Sequence, residues 1–144
     1  MSYTTDLVDG TAALLADAGL GIYRPAGPAF ATTETGIVVV SMPDAPDRMF
    51  CLTTYPVDDS GMAETVTGLQ VRMRASVDPR QVMAMSDAVF DLLDNRSHFR
   101  LGSVLVDLAW RQSEASLGLD VHGRLELSAN YYLRTLRDSP HLYE

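Results

Sequence analysis

A chain of 144 residues is of single-domain length, and its 47% hydrophobic and 21% charged content is an ordinary globular balance that suggests neither disorder nor a membrane class. Nineteen acidic residues against eleven basic ones give a formal net charge of −8, which argues against a protein that grips nucleic-acid phosphates through a basic patch. No run approaches the roughly 20 apolar residues of a membrane helix, Met1 to Asp6 lack the basic and apolar regions of a secretory signal, and the lone Cys51 rules out an internal disulfide, so cytosolic synthesis is expected.

The first predicted element is a helix from Asp6 to Ala18, with Leu7, Val8, Leu14, Leu15 and Ala18 on one side. Thr5 or Asp6 is placed to cap it, and Gly19 ends it with Leu20 folded back on the last turn. Gly21 to Pro25 reads as a short edge strand, because proline cannot donate to a ladder. Gly36 to Met42 follows as a strand whose run Ile37-Val38-Val39-Val40 predicts burial on both faces, closed by the turn Pro43 to Asp47. Met49 to Pro56 is the third strand, with Cys51 as a buried thiol inside it, and Val57 to Glu64 is a solvated polar loop.

Thr65 to Ser76 has the clearest strand alternation, Leu69, Val71, Met73 and Ala75 against Gln70, Arg72 and Arg74. Asp78 then caps a second helix with Pro79 at its first position and Gln81 three residues beyond the cap. Val82, Met85, Val89 and Leu92 form its buried stripe, widened by Ala88 and Leu93. A long hairpin closes the chain. Its first arm, Ser103 to Gln112, alternates Val104, Val106, Leu108 and Trp110 against Leu105, Asp107, Ala109 and Arg111. Its second arm alternates Leu125, Leu127, Ala129, Tyr131 and Leu133 against Glu126, Ser128, Asn130, Tyr132 and Arg134. The tip, Leu117 to Arg124, holds Gly118, Asp120 and Gly123, residue types suited to a reversal. Residues 137–144, with Pro140, read as a loose tail. The expected fold is α+β: one domain over 1–144, a mostly antiparallel sheet, two helices packed on it and a long C-terminal hairpin.

Catalytic chemistry is not visible. His98, His122 and His141 are scattered without metal-ligand spacing, and no phosphate loop, His-Glu-x-x-His set or nucleophile elbow occurs. The acidic loop Asp58-Asp59-Ser60-Gly61 lacks calcium-loop spacing. Asp107 and Glu126 are the one carboxylate pair the hairpin would bring close, and outward strand carboxylates are commonly just solvated. No catalytic, metal or cofactor residue is assigned. Arg72, Arg74, Arg111 and Arg134 instead predict an arginine-lined sheet face, either solvated or meeting Asp107, Glu126 or an adjacent subunit's carboxylates in bidentate pairs. One of Tyr131 and Tyr132 must point outward, and with Trp110 it belongs to the residue types enriched in interface cores.

The segments Ala109-Trp110-Arg111-Gln112-Ser113, Leu117-Gly118, His122-Gly123-Arg124 and Ser128-Ala129-Asn130-Tyr131-Tyr132-Leu133-Arg134 resemble the tail terminator or minor capsid proteins of long-tailed bacteriophages, siphophages of the actinobacteriophage type. Gly21-Ile22-Tyr23-Arg24-Pro25 and Ala45-Pro46-Asp47-Arg48 are similar to such proteins in the same order, so the likeness covers most of the chain. The resemblance implies a virion structural protein of the neck, not an enzyme. It would cap the tail tube as a hexameric ring, stop tail polymerisation, and contact the major tail tube protein and the head-completion (connector) protein. DNA would pass through the lumen without specific binding, which suits an acidic chain. Contact candidates are Arg72, Arg74, Arg111, Leu117, His122, Arg124, Tyr132 and Arg134. The alternatives are a head-closure or tail-completion role, or, from another class, a small ligand-binding module or enzyme using a pocket beneath Trp110 and Cys51.

Overall fold

A computed structural model describes residues 2–143. Its α+β architecture has two helices on one face of a seven-stranded, mostly antiparallel sheet of order β1-β2-β3-β4-β7-β6-β5. Helix α1 spans Tyr3–Asp17, earlier than expected, because the Ser2 hydroxyl takes the Thr5 amide at 3.1 Å and so provides the cap assigned to Thr5 or Asp6. It ends as predicted. Gly19, at φ 79°, donates to the Ala16 carbonyl and Leu20 to that of Leu15, so the left-handed glycine satisfies two otherwise orphaned carbonyls. Gly10, in mid-helix, allows the backbone of Leu101 and Gly102 to come against α1; a Cβ there would lie 2.6 Å from the Gly102 nitrogen.

Strands β1 (Ile22–Tyr23), β2 (Gly36–Val39) and β3 (Met49–Asp59) pair in parallel. Parallel neighbours need a crossover, so Pro43 to Asp47 is not a turn between adjacent antiparallel strands but part of a connection crossing one face of the sheet. Val40, at φ 69°, stops β2 and is exposed, which corrects the expectation of a fully buried valine run. Strand β3 continues to Asp59, past the predicted loop start, and pairs antiparallel with β4 (Glu64–Arg74).

Helix α2 (Pro79–Leu93) begins on the predicted Asp78 cap and buries Val82, Met85, Ser86, Val89 and Leu93. The four apolar members contribute roughly 1.5–3 kcal/mol each before ordering entropy is subtracted. Leu93 takes the fully buried place expected for Leu92. Beyond α2 lies a strand that hydrophobic alternation did not reveal, β5 (Arg96–Leu101), in which only Phe99 and Leu101 are apolar and His98 sits at φ 51°. Strands β6 (Val104–Leu119) and β7 (Leu125–Leu136) make the long hairpin. Strand β7 keeps one phase throughout, and Leu127, Ala129, Tyr131 and Leu133 are buried as predicted. In β6 the pairing slips between Val106 and Leu108 and again between Arg111 and Ser113. The first slip turns Ala109 inward and Leu108 and Trp110 outward, reversing the predicted phase beyond Val106. In the segment 137–144 expected as a loose tail, whose last residue lies outside the described ones, Arg137 donates to Ala63 and Tyr143 to Gly61 of the β3–β4 turn, each at 2.8 Å.

Candidate contact surface

Cross-strand register decides which side chains share the face opposite the helices. Tyr55, Gly68, Tyr132 and Trp110 align across β3, β4, β7 and β6, forming one row. The Tyr55 ring comes against Gly68, where a Cβ would stand only 2.3 Å from ring atoms, so any larger residue there would displace that ring. Tyr55 also donates its hydroxyl to Asn130 at 3.0 Å. Trp110 and Tyr132 meet edge to face with centroids 5.8 Å apart, and the Arg134 guanidinium sits 5.4 Å from the indole centre. The row is half-buried, and α1 and α2 pack on the opposite face.

The other end of this face is covered by the β2–β3 crossover, and two arginines hold it there. Arg74, 3% exposed, donates to the carbonyls of Pro43, Asp44, Pro46 and Asp47. Burial lowers its pKa first, and the neighbouring Arg124 charge adds to that. Arg124, 4% exposed, bonds the Asp120 and Asp47 carboxylates at 2.8 and 2.9 Å and Asp44 at 2.9 Å. Burial pushes the Asp120 carboxyl upward, but the Arg124 and His122 amides and the Arg124 guanidinium outweigh it and bring the pKa down to about 2. His122 adds a 3.0 Å contact to Asp44. These two arginines were expected at a subunit contact; in the protomer the crossover brings carbonyls and carboxylates onto them, so the Nε and Nη2 of Arg74 and all three guanidinium nitrogens of Arg124 bond within their own chain.

Arg72 pairs with Glu126 at 2.5 Å and keeps 39% of its side chain exposed. Arg111 lies on the helix-side face, its guanidinium 4.4 Å from the Phe90 ring centre, so the expected four-arginine face holds Arg72, Arg74 and Arg134 but not Arg111. The slip in β6 is the reason. Asp107 and Glu126 are not brought together: Asp107 faces His98 at 3.7 Å and Glu126 faces Arg72. Leu117 and His122 are exposed at the tip, while Tyr131 points inward and Tyr132 outward. Every one of the eleven basic residues is an arginine, and five stack on aromatic rings, a use of planar guanidinium that lysine does not share.

Three cavities among the described residues are lined by neither Trp110 nor Cys51. One of about 350 Å³ sits between Asp59 to Met62 and Arg137 to Leu142, and one of about 210 Å³ adjoins it at Asp59 and Arg137. Among the described residues no group of three or more His, Cys, Asp or Glu side chains is placed to hold a metal ion, and no helix is long and apolar enough to cross a membrane.

The family model described as "Bacteriophage tail terminator protein" matches residues 14–137. The chain belongs to the bacteriophage tail terminator family. It is accordingly a structural protein of the phage tail and a virion component, in a family that is structural and not enzymatic. Among solved structures, a chain of the virion of a native gene transfer agent particle is similar in fold, with a TM-score of 0.57, 16% identity, and coverage of 87% of this chain and 85% of that one. No curated protein matches the sequence. Within this terminator fold, sequence reasoning found the outward Tyr132, set Trp110 on the opposite face, and missed Tyr55 and Gly68. The Tyr55-Pro56 pair read as a strand end, and only register across four strands brings Tyr55 beside Tyr132.

Proposed function

We propose that this chain is the tail terminator of a long-tailed phage, forming a ring on the last ring of the tail tube. The ring stops tube polymerisation and presents a surface to the head-completion protein. The observation that carries this reading is the uncovered sheet face with its row Tyr55, Gly68, Tyr132 and Trp110, flanked by Arg134 and Arg72. Aromatic and arginine side chains of this kind are enriched where protein surfaces meet. A closed ring needs heterologous contacts, in which one patch meets a different patch on the next copy, and the protomer offers an open face, an exposed tip and unlike sheet edges for them. Six copies, a neck location and passage of DNA through an acidic lumen belong to the same reading.

Leu117, His122, Tyr132, Arg134 and Arg72 remain its contact residues, with Arg111 on the helix-side face. Arg74 and Arg124 act indirectly, by holding the crossover in place. Particles assembled without the chain should carry tails of uncontrolled length. Tails of normal length joined to heads in its absence would overturn the proposal.

A further inference from the structure

Strand β5 covers only the first part of β6, since its last register pair is Arg96 with Ala109. Just beyond, the Asp94 carboxylate accepts the Arg111 amide at 2.8 Å and ends that ladder. From Gln112 to Leu119 every residue of β6 is exposed, and among the described residues β7 is its only strand partner there. Unpaired amides and carbonyls on such an edge are a template for another strand, and soluble proteins blunt them with lysine, proline or a cover. The edge Gln-Ser-Glu-Ala-Ser-Leu-Gly-Leu has no basic residue and no proline, carries register slips at Arg111/Ser113 and Ser116/Gly118 as its one blunting device, and runs into the exposed apolar side chains Leu117, Leu119 and Val121.

The sheet has a second open edge of a different character. Strand β5 is terminal in the strand order, and its residues Arg96, His98 and Arg100 make it basic, with His98 and Arg100 exposed. The β6 edge is flanked by acid: Glu114 on the strand itself, bonded to Ser86 of α2, and Asp87 and Asp91 exposed on that helix. One edge is acidic and apolar, the other basic, and they lie on one sheet.

We infer that the β6 edge Gln112–Leu119 of one copy takes the basic β5 edge Arg96–Leu101 of a second copy, joining the two sheets head to tail. The inference rests on the ring reading above and specifies which edges close it. Because the two edges differ, each copy both gives and receives, and the contact is heterologous, the kind that closes rings. Backbone pairing supplies the attachment, the side chains at alternate positions supply the fit, and the opposed charges fix which edge is accepted.

Hydrogen exchange on the purified chain, compared between dilute monomer and concentrated oligomer, tests this directly. Amides of 112–119 and of 96–101 should both slow on assembly, and the assembly should weaken as salt is raised. Ala115→Lys with Leu117→Lys should abolish assembly while circular dichroism and melting stay those of the wild type. If the variant misfolds, the wild-type exchange comparison still decides. An oligomer in which either edge exchanges as fast as in the monomer overturns the inference, as does a chain that stays monomeric at every attainable concentration. The ring reading fails on different evidence, tails of normal length joined to heads in the absence of the chain.

Discussion

Arg124, at the base of the hairpin tip, donates to the carboxylate of Asp47, 77 residues earlier in the chain, at 2.9 Å. With Asp44 and Asp120 as further partners, that guanidinium clamps the β2–β3 crossover onto β7. Removing it leaves three carboxylates facing one another, so Arg124→Met is expected to destabilise the protein by about 3 kcal/mol, the low end for breaking a buried pair, because Asp44 and Asp47 stay in contact with water. Chemical denaturation measures this, and a change below about 1 kcal/mol, the worth of a surface pair, would count against the clamp.

The same cluster predicts an acid transition. Asp120 has its folded pKa depressed to about 2 from an ordinary 3.8, so its contribution is fully present above the ordinary value and is lost as pH falls through the folded one. Asp44 is shifted in the same direction, by its bond to His122 first and by Arg124 second. The melting temperature of the wild type should therefore fall between about pH 4 and pH 2 more steeply than that of Arg124→Met; parallel curves would refute the linkage.

Gly10→Ala sets two effects against each other. Alanine is favoured over glycine in a helix by roughly 1 kcal/mol. Its Cβ, however, would lie 2.6 to 2.7 Å from backbone atoms of Leu101 and Gly102, which cannot swing aside as a side chain can. Overpacking of this kind costs about 1–3 kcal/mol or more, so a net loss of roughly 1–2 kcal/mol is expected from urea unfolding. A raised midpoint would show that α1 and the β5–β6 turn are not in this contact.

Tyr131→Phe should do the opposite. The Tyr131 hydroxyl is buried without a hydrogen-bond partner among the described residues, and burial pushes its pKa up to about 12. An unsatisfied buried polar group costs roughly 1–3 kcal/mol, so its removal should raise stability by about 1 kcal/mol. A loss instead would reveal a partner for the hydroxyl.

Cys51 is 3% exposed and burial raises its thiol pKa. It should react with a thiol reagent only after denaturation, and rapid labelling of the native chain would reverse that assignment.

Strand β7, strand β4 and the start of α2 were legible because their signals are local: unbroken alternation in two cases, Asp78-Pro79 in the third. Strand β6 was legible as a strand but not in its facing, since its two register slips within the stretch from Val106 to Ser113 leave no mark in the hydrophobic pattern. Strand β5 escaped notice because Phe99 and Leu101 are its only apolar residues, too few to show a period, and it is recognised only by pairing with β6. The likeness to phage tail terminators was carried by residues spread along the chain, and the family match bears it out.

The sequence by itself therefore determined the fold class, the inward face of the closing strand, the outward Tyr132 and the family. Tertiary structure alone decided what each arginine does. A guanidinium reaches whatever the fold places within hydrogen-bond distance, and Arg74, Arg124 and Arg134 meet carbonyls, carboxylates and an indole, respectively. Sequence spacing does not encode those encounters, because the crossover and the register slips that create them act between segments tens of residues apart.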